Sequence, residues 1–133
     1  MRLRAGLAVL GLACAALPAG AAPFSPAIYG NVRYIQEADD TVGMELRIHP
    51  GAHPWIDLVL CEGECAHQTR TPITPVPGGF RFDYHETLAG PDGKPAPDII
   101  HFMATYRGRN LIVRATDGSP DKLRPLRKPV ALQ

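Results

Sequence analysis

Residues 60–67 read LCEGECAH, which sets Cys61 and Cys65 four positions apart with His67 two residues further on. Three chemistries fit such a group. In an oxidising compartment, thiols on either side of a Glu62-Gly63-Glu64 turn form a disulfide, because the turn brings their Cα atoms into the roughly 4.4–6.8 Å range that the bond needs. As thiolates, Cys61 and Cys65 would join His67 as ligands for copper or zinc. As a catalytic redox pair they would need a two-residue spacer or a helix N-terminus to activate a thiol, and this stretch has neither. Structural zinc sites draw further ligands from a second closely spaced pair, and none follows. The expectation is therefore a disulfide staple and no cofactor, with the Cys61, Cys65 and His67 metal or redox centre as the alternative.

The histidines form the second group. His49 and His53 flank a Pro-Gly turn, while Arg81, Asp83 and His85 alternate with Phe80, Phe82 and Tyr84. His101 alternates with Ile100 and Phe102. If those two segments are neighbouring strands, Arg81, Asp83, His85 and His101 share the polar face and make a small cluster able to bind an anion, with a metal as the lesser alternative. Nucleophilic catalysis finds no matching pattern. Ser25 and Ser119 are the only serines, no Gly-x-Ser-x-Gly or phosphate loop occurs, and strand periodicity pairs no two carboxylates. No catalytic residue is assigned.

The elements that must position these residues are strands. Met44, Leu46 and Ile48 alternate with Glu45, Arg47 and His49, and Ile100, Phe102, Ala104 and Tyr106 alternate with Ile99, His101, Met103 and Thr105. A period of two marks strands with one face in a core. About seven are expected, over residues 27–36, 42–49, 55–61, 67–73, 79–85, 98–106 and 110–116. Pro- and Gly-rich stretches separate them, and Arg107-Gly108-Arg109-Asn110 is a hairpin signal. The longest loop is expected to precede the sixth strand, so that loops over 50–54 and 86–97 carry partner contacts. The fold class is all-β, an antiparallel meander arranged as a small closed barrel or a sandwich.

The chain opens with Arg2 and Arg4, an apolar stretch over residues 5–17, and Ala19-Gly20-Ala21, the pattern of a signal peptide cleaved after Ala21. Cys14 is read as part of that leader, since Gly11 stands where a lipoprotein signal has Leu. The expected organisation is a signal peptide over 1–21, one domain over 22–116, and a basic, Pro-containing mobile tail over 117–133. The formal charge is +1 for all 133 residues, and −1 without Arg2 and Arg4, which gives no support for nucleic-acid binding. Nothing after residue 21 is long and apolar enough to span a bilayer as a helix.

The stretch 34–46, YIQEADDTVGMEL, resembles the opening hairpin of uncharacterised small exported bacterial β-barrel proteins, over residues 29–48. That resemblance implies a fold and an exported location, with no activity attached. The overall plan also resembles periplasmic lysozyme inhibitors, but their Ser-Gly-x-x-Tyr loop is missing, so that activity is not implied. Together these readings point to an exported, periplasmic or secreted, non-enzymatic module that binds an envelope protein or glycan.

Overall fold

The computed structural model describes residues 27–133. The expected leader over 1–21, Cys14 included, lies outside the described residues. The chain is all-β. Ten strands run β1 Ala27–Gly30, β2 Arg33–Ile35, β3 Asp40–His49, β4 Trp55–Cys65, β5 Thr69–Pro72, β6 Thr74–Val76, β7 Gly79–Ala89, β8 Pro95–Arg107, β9 Asn110–Ala115 and β10 Asp121–Leu126. Every pairing is antiparallel, and the order is β5-β4-β3-β1-β10-β9-β8-β7-β6, with β2 also on β3. The two ends of this order, β5 and β6, are consecutive in the chain. The sheet therefore curls into a nearly closed barrel whose ends are joined covalently at Ile73.

The strand count exceeds the expected seven for local reasons. The first expected strand breaks at Asn31-Val32. Asn31 folds back on β3, accepting a hydrogen bond from Met44 N–H through Oδ1 at 2.8 Å and donating its own N–H to the Met44 carbonyl at 3.0 Å. A Cβ on Gly43, whose φ is +116°, would stand 2.6 Å from Asn31 Oδ1, so this crossing needs glycine. The fourth expected strand ends at Ile73, whose N–H bonds the Pro54 carbonyl at 3.1 Å while its side chain enters the core, and the Pro- and Gly-rich stretch after it, expected to be loop, supplies β6. The kink at Ile73 sends β5 to the β4 edge and β6 to the β7 edge.

Residues 86–97 are mostly strand, not loop. β7 and β8 stay paired from Gly79↔Thr105 to Ala89↔Pro95, and the turn is confined to 90–94, closed by Gly90 N–H on the Lys94 carbonyl at 2.8 Å. Pro95 and Pro97 sit on the part of β8 that has no β9 partner, where a missing N–H costs no ladder bond. The expected mobile tail is also replaced by structure. Asp121–Leu126 forms β10 between β1 and β9, with Leu123 fully buried, because without it the sheet would be left with two open edges.

The core is the inward face of these strands, centred on Leu46, Ile56, Leu58, Phe80, Leu111 and Val113. A smaller cluster lies on the opposite face of the sheet, where Leu132 packs on Val59 and Cys61. There Glu45, fully buried, accepts hydrogen bonds from the N–H groups of Val130, Ala131 and Leu132.

Candidate functional site

The strand register assembles the polar cluster. Asp83 and His101 are direct partners across β7 and β8, and His101 Nδ1 lies 2.7 Å from Asp83 Oδ1. One of the two ring nitrogens is thereby held by the carboxylate, leaving Nε2 to face outward. Arg81 stands opposite Met103, which stands opposite Arg114 on β9, so the three form one row on the solvent side of the sheet. His85 follows, opposite Ile99. All four expected residues, Arg81, Asp83, His85 and His101, border a single cleft of about 850 Å³.

Among the described residues, the cleft lies at the seam that strand pairing does not seal. β5 pairs only with β4, and β7 beyond Arg81 pairs only with β8. Residues 69–72 of one edge and 81–85 of the other line the opening, with Phe82 and Phe102, stacked 5.0 Å apart, at its base. Arg70 and Arg114 complete the lining. They escape a reading of local periodicity, because Arg70 meets β7 only through the curl of the whole sheet. Arg114, alternating with Val113, carried a signal: its place on the outward face of β9.

The electrostatics of the cleft differ from those of the chain. Three arginines line it against one acidic residue, Asp83, which is already engaged by His101. Among the described residues neither Arg81 nor Arg114 makes an ion pair. The Arg70 guanidinium lies 3.8 Å from the centroid of the Trp55 ring, and on the neighbouring strand His49 stacks on the same indole at 3.6 Å. Asp57, largely buried, binds His49 Nε2 at 2.8 Å and lies 3.9 Å from Arg47. Thr69 Oγ1, at the rim, is buried and has no hydrogen-bond partner among the described residues.

The LCEGECAH stretch does not contribute to this cleft. The Cys61 and Cys65 sulfurs are 2.10 Å apart, joined as a disulfide, with the Cα atoms 3.9 Å apart. Ala66 N–H closes the loop on the Leu60 carbonyl at 2.7 Å. Cys61 is buried under Leu132 and His67 is exposed. With both sulfurs bonded to each other neither is a thiolate ligand, and no group of three or more His, Cys, Asp or Glu converges among the described residues.

Two tyrosines titrate abnormally. Burial, and then the neighbouring Tyr29, push Tyr106 up to about 12. The exposed Tyr34 is raised by the hydrogen bond it donates to Asp39.

The fold and cleft define a class, a small disulfide-pinned all-β barrel with an open, arginine-lined seam. No family model, curated protein or solved structure matches the chain.

Proposed function

We propose that this protein is an exported, non-enzymatic binding module that takes an envelope protein or glycan into the seam cleft. The observation that carries the reading is the cleft itself. Among the described residues, an otherwise closed barrel leaves a seam unpaired, and there it gathers three arginines that make no ion pair over an aromatic base. Concave sites with an apolar floor and a few convergent polar groups are the usual form of ligand sites. Export is supported by the leader pattern of residues 1–21 and by the Cys61–Cys65 bond, which suits an oxidising compartment.

The test is a titration of residues 22–133 with panels of envelope glycans and short peptides, read by backbone amide shifts. Ligands that move Thr71, Arg81 and His101 and leave the Arg107–Asn110 turn unmoved support the reading. Binding confined to other surfaces, or no binding at millimolar ligand, overturns it.

A further inference from the structure

We propose that the ligand is an extended acidic peptide segment of a partner protein, added as a strand in the seam between β5 and β7. This rests on the reading of the seam as the binding site and names what fills it. Two kinds of observation point the same way.

The first is backbone. Among the described residues, each border of the cleft is a strand edge without a strand partner on that side, residues 69–72 on β5 and 82–85 on β7. An edge presents a repeating row of N–H and C=O groups, which an extended peptide matches residue for residue. A glycan carries hydroxyls at a different repeat and satisfies neither row. Near Ile73 the two edges converge and are joined by the chain, so the incoming segment enters from the opposite, open end of the wedge.

The second is charge. Arg70 stands on one border, Arg81 on the other, and Arg114 two strands further, about 10 Å from Arg81 at the usual strand spacing. Guanidinium groups grip carboxylates through two parallel hydrogen bonds, which selects an acidic segment. The same arginines argue against a second copy of this chain. Edge-to-edge pairing of two identical seams would set Arg70 and Arg81 of one molecule against those of the other.

The experiment uses the oxidised chain over 22–133 and a labelled, capped octapeptide of alternating Glu and Val, followed by fluorescence anisotropy at low and high salt. Binding is expected, weakening with salt, and Arg81→Gln and Arg114→Gln, both exposed positions, should each weaken it roughly tenfold while leaving the amide spectrum folded. Two control peptides carry the argument. Replacing every Glu by Gln, or N-methylating alternate residues, should abolish binding. If the Gln peptide binds as well, the acidic preference is overturned. If the N-methylated acidic peptide binds as well, strand addition is overturned. Failure of every peptide alongside cleft binding of a glycan overturns this proposal and leaves the seam reading standing. Failure of peptides and glycans alike overturns both.

Discussion

Glu45 and Val130, 85 residues apart in the chain, meet as a buried carboxylate and an amide. Both Oε atoms of Glu45 lie 3.0 Å from the Val130 nitrogen. Ala131 N–H follows at 2.9 Å and Leu132 N–H at 3.3 Å, so one side chain satisfies three successive donors of the C-terminal segment. That grip lays Leu132 over Val59 and Cys61 and turns the outer face of β3 and β4 into a second, minor core.

Glu45→Ala removes the acceptor and leaves those amides to find water, so it should cost on the order of 2–4 kcal/mol. Deleting residues 130–133 should cost a similar amount, because it strands a buried carboxylate without donors. Urea denaturation of the two variants and their combination checks this. The combined loss should fall short of the sum, since both changes break one interaction. Additive losses would mean that the carboxylate and the C-terminal segment act separately.

The Cys61–Cys65 bond closes a short loop directly beneath Leu132, so removing it has a local and a global effect. Cys61→Ala with Cys65→Ala should lower stability by about 1–3 kcal/mol. Amide exchange at Ala131 and Leu132 should accelerate more than at Leu111 and Val113. Uniform acceleration would show that the bond does not support the C-terminal segment in particular.

Gly79 starts β7 where the β6–β7 hairpin crosses β8. A Cβ there would lie 1.9 Å from the Ala104 carbonyl oxygen and 3.0 Å from Thr105 Cα, both backbone atoms of a paired strand. Gly79→Ala should therefore destabilise by about 3 kcal/mol or more. Thermal unfolding reads it, and a shift of only a degree or two would show that β8 yields at this crossing.

Tyr106 supplies a pH dependence. Its folded-state value of about 12 lies above the ordinary 10.0, so its contribution to stability is fully present below pH 10 and is lost as pH rises toward 12. Absorbance titration should resolve a late-ionising tyrosine that Tyr106→Phe removes. The same substitution should flatten the fall in stability between pH 10 and 12. An unchanged alkaline limb would assign the effect elsewhere.

Arg70 belongs both to the cleft and to the face of Trp55, the only tryptophan in the sequence. A ligand that draws the guanidinium into the cleft should therefore change indole emission, and Arg70→Ala should abolish that response while shifting the resting spectrum to the red. Stopped-flow fluorescence with any cleft ligand gives the reading. An equal response in Arg70→Ala would place the signal on a route that bypasses this contact.

Much of the site was legible before the fold. Alternation alone put Arg81, Asp83 and His85 on the polar face of one strand and His101 on the polar face of another, and the β7–β8 pairing makes the two neighbours. The direct pairing of Asp83 with His101 depends on register, which hairpin length decides. Residues 86–97 read as a loop in the sequence because prolines suggest one. They are tolerated in β8 because its outer edge there is free. The C-terminal stretch looked like a solvated tail because Pro and basic residues hide the single inward Leu123 of β10.

The sequence by itself determined the all-β class, the inward faces of the long strands and the cysteine pair, because each follows from residues adjacent or nearly so along the chain. Only the tertiary structure decided that the sheet curls until β5 faces β7, that Arg70 and Arg114 join the cleft, and that Glu45 is covered instead of solvated. Those contacts join segments tens of residues apart. Alternation states only that a side chain leaves the core face. What then covers it depends on which distant strand edges and donors must be satisfied once the whole sheet has closed.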